Sequence, residues 1–514
     1  MDQNDSSKQS SSHSLYATFD HLFFQEKDPF YIYLILGIIT LIGLFLRLLV
    51  INKPIEYDEA YTFIYFASRS FKHILADYSA PNNHIFHTIL VGLAYRVLGG
   101  QPWVLRLPAF IAGTLIVPAM YITARRFFSR PQALAASALI AVTHWFIMYS
   151  VNGRGYTILI LFALLQANFA GILVIRQSKP ALIAFALTGA LGFYTIPIFL
   201  YPMAGISLWI VMTYLIAKEP WQNKFHRLAV FLSTCLLSGL LTLILYSPVI
   251  IFGSGFSSII SNEIVESLDW STFVENLDPR IAKTWRKWMM RIEPTAEYLF
   301  SGGFLLSLLF YRKISNQKLP LQVFLGLAVA ILLLLQRVTP LPRNWLYLEA
   351  FYLLFAAAGL VWLADLLVRK TAGPLWTERI LSFGILLAII TACIGILTSR
   401  QQSIVMNRGP LPEQYAANFI VDHLKSEDTI IATSPVIIRT AYYSIIDGIP
   451  FDRFYQRDHP VRIQNALVLL RINSKYNTPQ KVLDFFKLAS ALDLSSAELV
   501  FEYGKLQIYS IPAR

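Results

Sequence analysis

The sequence predicts a polytopic α-helical membrane protein that ends in a soluble α/β domain. Three observations carry this expectation. Of the 514 residues, 55% are hydrophobic and only 14% are charged, with a mean hydropathy of +0.52, too apolar for a soluble chain. Apolar runs of roughly 20 residues, the length that crosses a bilayer core, recur between residues 31 and 398. Beyond residue 400 the pattern changes to alternating short helix and strand signals. The net charge of +12 fits basic cytoplasmic loops and gives no reason to expect nucleic-acid binding. The two cysteines, Cys235 and Cys393, sit inside apolar runs, which argues against a disulfide framework or a zinc cluster.

Taken in order, residues 1–28 are polar and Ser-rich and lack the features of a signal peptide. They read as a flexible cytoplasmic tail. A membrane domain follows over 29–399. Eleven spans are expected at 31–50, 104–124, 132–149, 156–175, 181–195, 197–217, 228–252, 295–311, 320–336, 345–367 and 379–398. The segment 82–100 is apolar but holds His84, His87 and Arg96, and charge bias decides its place. If it does not cross, the basic stretches "ARRFFSR", "RQSK", "KEPWQNKFHR", "YRKISNQK" and "RKTAGPLWTER" all share one side with the N-terminus. By the positive-inside rule that side is cytoplasmic. The segment then lies as an interfacial helix on the outer face. The outer side receives the loop 51–103, "VNGRGY", the loop 253–294, "RVTPLPRNW" and the tail 400–514. In that tail "LPEQYAANFIVDHLKSE" reads as a helix, "DTIIATS" and "ALVLLRI" as buried strands, and "ELVFEYGKLQIYSI" as a hairpin turning near Gly504.

Ionisable groups avoid the middles of the spans and gather on the outer side. An ionisable group kept at such a boundary points to chemistry there. Asp58 and Glu59 follow the first span in "EYDEAYTF". Adjacent carboxylates diverge by about 100° in a helix, so they do not share a proton. One is expected to act as a general base and the other to fix its surroundings. Arg154 stands between two glycines in "NGRGY", where backbone can approach a ligand and a guanidinium can fork onto phosphate. Tyr156 closes the same motif, and Arg343 occupies a Pro-stiffened loop, "PLPRNW". His84 and His87, three apart, are expected on one helical face beside Asn83, in an acceptor or interface role. With a nearby acid the two histidines leave a divalent metal open as a thin ligand set. "AKTWRKWMMRIEP" reads as an amphipathic segment among lipid headgroups, with guidance of an anionic lipid substrate as the second reading.

The segments "YDEAYTF", "APNNHIFHTILVGLAYRVLGGQPWVLRLPAFIAGTLIVPAMYITARRFF" and "SVNGRGYTILILFALL" resemble the GT-C superfamily of membrane glycosyltransferases. The nearer resemblance is to the bacterial branch related to protein O-mannosyltransferases and lipid A aminoarabinose transferases. It implies a GT-C type fold and a multi-pass protein of the bacterial inner membrane. It also implies transfer of a sugar from a polyprenyl-phosphate donor to a glycan, lipid or protein acceptor on the extracytoplasmic face. It matches Asp58 to the catalytic acid and makes Arg106 and Arg154 candidates for the donor site. "NNHIFH" stands where relatives often carry a Pro-Pro or Lys-Pro element, which leaves the acceptor open. The tail 400–514 is then expected to shape acceptor access and not to carry the reaction. The rival reading is a transporter or lipid flippase. Its usual marks, ionisable groups at mid-membrane and paired halves, are not evident in the sequence.

Overall fold

Each apolar run becomes a helix because, without water, only intrahelical bonds satisfy the backbone. The computed structural model describes residues 22–23, 27–260, 267–399, 409–457 and 463–514, so the expected tail 1–28 lies almost wholly outside the described residues. The membrane helices are α1 (Phe30–Leu48), α5 (Pro102–Arg125), α6 (Arg130–Val142), α7 (His144–Ser150), α8 (Tyr156–Leu173), α9 (Lys179–Thr195), α10 (Leu200–Ile216), α11 (Trp221–Phe252), α13 (Pro294–Leu309), α14 (Leu321–Gln336) and α15 (Leu346–Thr398). Between them lie α2 (Tyr57–Thr62), α3 (Phe71–Ala76), α4 (Ile85–Leu98) and α12 (Trp270–Trp288).

All eleven expected spans coincide with helix, but they are not equal. Among the described residues seven helical stretches are long and apolar enough to cross a membrane, and α6 with α7, bent by 61°, makes an eighth. The long α15 supplies two of the seven, split at Gly373, whose φ of +71° breaks the helix. The remaining expected spans, α9, α13 and α14, have 17, 16 and 16 residues. At 1.5 Å per residue they reach about 24–26 Å, short of a typical hydrocarbon core of about 30 Å. The 14-residue α4 is shorter still.

The chain divides into two compact units. The first holds residues 1–50, 75–87 and 108–399. Its helices pack through small residues. A Cβ on Gly303 would stand 2.4 Å from the Ala356 carbonyl oxygen, and one on Gly359 would stand 1.9 Å from that of Gly303, so α13 and α15 touch backbone to backbone. At one end of this unit the buried carboxylate of Asp28 accepts hydrogen bonds from Tyr121 at 2.6 Å, Arg130 at 2.5 Å and Arg125 at 3.2 Å. Burial pushes its pKa up, but these three partners more than offset it and hold Asp28 below the usual carboxylate range.

The second unit joins residues 51–74 and 88–107 to the tail 400–514. The tail carries α16 (Pro412–His423), β1 (Asp428–Ala432), α17 (Val436–Ile446), β2 (Asn465–Arg471), α18 (Pro479–Phe486), β3 (Glu498–Tyr503) and β4 (Leu506–Pro512). The sheet order is β1-β2-β4-β3, with β1 and β2 parallel and the other pairs antiparallel. The β3–β4 hairpin turns at Gly504, whose φ is +60°. The tail does not stand by itself: Ala60, Phe63 and Ile64 of the segment after α1 share one hydrophobic core with Ile420, Ile430, Tyr442 and Leu469. A cut at residue 399 would therefore strip α2 of its support, which argues against the expectation of a separable tail.

Candidate active site

The candidate residues fall into two groups, one in each unit. In the second unit α2 begins at Tyr57, with Glu56 as its N-cap. Glu59, at the third helical position, accepts from the Glu56 backbone N–H at 2.8 Å, which fixes the helix start. Its carboxylate is 2% exposed and takes two bonds from Arg106, Nε at 2.8 Å and Nη2 at 2.7 Å. Burial pushes the Glu59 pKa up, but the charge and hydrogen bonds of Arg106, with help from Lys53 and the Glu56 amide, hold it below the usual range. Lys53 also pairs with Glu56. Asp58, one residue earlier, turns to the half-buried side of α2.

Arg106 was expected to bind donor phosphate, and the structure gives it another occupation. Besides the two bonds to Glu59, it donates to the carbonyls of Ile51 and Lys53 at 2.6 Å each and of Pro54 at 3.1 Å. A guanidinium has five N–H donors, and all five are matched. Arg106 is a clamp that holds the loop 51–54 and Glu59 in place.

In the first unit a cavity of about 400 Å³ collects most of the other predicted residues. Arg154, Tyr156, His84 and Arg343 line it, together with Arg280, Tyr78, Asn82, Tyr201, Gln336 and Asn344. Among the described lining residues there are three arginines and no Asp or Glu. Arg154 donates to the Asn82 carbonyl at 3.1 Å, and its Nη2 lies 3.1 Å from His84 Nε2. His84 Nδ1 accepts from the Gly155 backbone N–H at 2.9 Å. A neutral imidazole that accepts at Nδ1 carries its proton on Nε2, so Nε2 and Arg154 are both donors at close range. Burial first, then Arg154, His87 and Arg343, holds the His84 pKa well below the ordinary histidine range. The field of the cavity thus refuses a further positive charge.

Gly155 is needed for this approach. A Cβ there would stand 2.7 Å from Thr195 Cγ2 and 3.2 Å from His84 Nδ1. His84 precedes the first residue of α4, Ile85. His87 is buried outside the cavity lining. Asn83 is buried too, its side-chain amide donating to the Asp77 carbonyl at 2.7 Å. The neighbouring Asn82 faces the cavity in its place. A divalent metal does not fit these histidines: His84 spends Nδ1 on a backbone N–H and faces an arginine, and among the described residues no three His, Cys, Asp or Glu converge.

Sequence reasoning missed Arg280. It lies on α12, two residues before the segment expected among headgroups, and it lines a second space as well. That space is an apolar groove of about 190 Å³ walled by Ile281, Trp285, Trp288, Leu333 and Leu348. Arg280, Val338, Thr339 and Pro340 border both the arginine-lined cavity and the groove. Residues 83–252 match the family model for dolichyl-phosphate-mannose-protein mannosyltransferase. No curated protein matches the chain in sequence. Among solved structures, ArnT from Cupriavidus metallidurans bound to undecaprenyl phosphate is similar at 13% identity and a TM-score of 0.60, covering 93% of this chain and 98% of its own. Its apo state gives 12% and 0.61, with 93% and 97% covered. The archaeal oligosaccharyltransferase AglB from Archaeoglobus fulgidus, in complex with an inhibitory peptide and a dolichol-phosphate, gives 12% and 0.52, covering 90% of this chain and 72% of its own. These likenesses establish a GT-C type polytopic membrane fold.

Proposed function

We propose that this GT-C chain is an inverting glycosyltransferase of the bacterial inner membrane, moving a sugar from a polyprenyl-phosphate donor to an acceptor hydroxyl on the extracytoplasmic face. The observation that carries the reading is the arginine-lined cavity adjoining an apolar groove, with Arg280 bordering both. A cavity with three guanidiniums and, among the described lining residues, no carboxylate suits an anionic head. A groove of Trp, Leu and Ile suits a hydrocarbon tail. A polyprenyl phosphate has both parts in that order. ArnT, of similar fold, is solved with undecaprenyl phosphate.

In the proposed reaction the acceptor oxygen bonds to the sugar's anomeric carbon while the bond from that carbon to the phosphate oxygen breaks. The electron pair leaves with the lipid phosphate, whose charge rises from one to two. Arg154, Arg280 and Arg343, with the His84 Nε2 donor, offset that growing charge. Asp58 takes the proton from the acceptor hydroxyl. Glu59 remains ionised and holds α2 through Arg106, outside the proton path. No metal enters this scheme.

Two measurements test it. Undecaprenyl phosphate should bind the purified chain and protect it against thermal unfolding, and single-turnover transfer from an undecaprenyl-phosphate sugar should follow; absence of binding would end the reading. For orientation, single cysteines at 129, 178 and 316 should resist an impermeant reagent in intact cells, while those at 79 and 456 should be labelled. The reverse pattern would invert the assignment of faces.

A further inference from the structure

The half-exposed side of α2 carries aromatic rings that the chemistry above does not use. Tyr57, Tyr61 and Tyr65 recur every fourth residue. Four α-helical steps overshoot a full turn by roughly 40°, so such a row normally drifts around the helix. Here α2 passes directly into a π turn, Phe63–Ala67, whose wider i→i+5 winding drifts the other way. The two drifts oppose, and the rings line up. Centroids lie 6.3 Å apart for Tyr57 and Tyr61 and 4.5 Å apart for Tyr61 and Tyr65, with planes inclined by 34° and 35°. Phe451 closes the row edge-on to Tyr65 at 5.6 Å, and Arg69 lies over Phe451 at 5.6 Å. At the other end the Tyr57 hydroxyl is 3.0 Å from that of Ser434.

The opposite side of the segment is the more deeply anchored, with Glu59, Ala60, Thr62, Phe63 and Ile64 all buried, while the three tyrosines are only partly buried against the shared core. Asp58 lies on the same half-exposed side as the row, three and seven residues before Tyr61 and Tyr65, spacings that share a face. We propose that the tyrosine row is the acceptor subsite, and that its occupant is a chain of neutral pyranose sugars whose terminal hydroxyl meets Asp58. This rests on the reading of Asp58 as the base.

The chemistry selects the occupant. A pyranose has flat C–H faces and a rim of hydroxyls. A tyrosine has a flat apolar face and a hydroxyl at its edge, the amphipathic ring that serves interfaces with one dry and one wet side. A hydrocarbon chain would match the faces and leave the hydroxyls without use. A polyanion would meet the Asp58 carboxylate, and the cation at the row's end, Arg69, already stacks on Phe451.

The probes are linear hexasaccharides of glucose, mannose and N-acetylglucosamine, offered to the full chain in nanodiscs. At least one should bind by saturation-transfer NMR and slow nitration of Tyr61 and Tyr65 by tetranitromethane, read by mass spectrometry on the wild-type protein. Tyr61→Ala and Tyr65→Ala should weaken binding about tenfold, while Tyr61→Phe and Tyr65→Phe keep most of it. Failure of all three probes to bind or protect would overturn the proposal, as would binding indifferent to the alanine variants. A Ser/Thr-rich peptide that protects Tyr61 and Tyr65 where the sugars do not would assign the row to protein. Loss of undecaprenyl phosphate binding by the wild type would instead strike the donor reading and leave the row standing.

Discussion

Arg106 follows the loop 51–103 and Arg280 lies within the loop 253–294, yet they live opposite lives. Arg106 is buried with all five donors matched by Glu59 and three carbonyls. Arg280 borders a cavity whose described lining holds two more arginines and no carboxylate. The difference teaches that a guanidinium's role is set by whether a carboxylate stands within reach. A matched arginine holds a loop, and under the proposed function the cavity arginines, whose described lining holds no carboxylate, serve an anion.

The largest way to break this comparison is Arg106→Ala. It strands the buried Glu59 carboxylate, so the chain should lose about 3–5 kcal/mol of stability, read by thermal or chemical unfolding in detergent. Arg280→Ala should unfold like the wild type. Equal stability of both variants would show that the clamp is not a clamp. The next contrast lies within the acid pair. Asp58→Asn should leave stability unchanged and slow single-turnover transfer by about 10²–10⁴-fold, or roughly 3–5 kcal/mol of barrier, with donor affinity nearly intact. Transfer at wild-type rate would pass the base assignment to another group.

A smaller effect sharpens the arginine side. Arg154→Ala and Arg280→Ala should each weaken undecaprenyl phosphate binding by about 10–100-fold, the worth of one charge-assisted hydrogen bond. Isothermal titration would show it, and an unchanged affinity for both would empty the cavity of its proposed role. The smallest expected effect is acid sensitivity. The native pKa of His84 lies well below its ordinary value, so the unfolded chain binds the proton first. The stability tied to neutral His84 is thus present above about pH 6.5 and is lost as pH falls below that value. Melting curves at pH 7 and pH 5.5 should diverge less for His84→Gln than for the wild type.

How much of this was legible in the sequence depended on how local each signal was. The membrane helices were legible because apolar length is a property of the run itself. Arg154, Tyr156 and Arg343 stood out because glycine and proline mark their loops, and the three line one cavity. Arg106 was misassigned because its partner Glu59 lies 47 positions away and its other acceptors are backbone carbonyls, which no residue type announces. His84 and His87 were read as one pair, yet only His84 lines the cavity, as spacing along one helix does not say which side chain meets another element. Arg280 was hidden among basic and aromatic residues whose pattern reads equally well as a headgroup anchor. The tail's shared core with α2 had no sequence signal at all, since apolar strands look alike whatever covers them.

The Asp28 cluster has a consequence in time. Its carboxylate emerges from the ribosome before α1, whereas Arg125 and Arg130 follow 97 and 102 residues later. At about 5–20 residues per second, the acid waits some 5–20 s for its partners. During that interval the first span must be retained by apolar length alone, with Asp28 hydrated at the surface. The cluster is therefore a late latch. It cannot help α1 enter the bilayer, and it closes only once the second long span and its basic flank have been made.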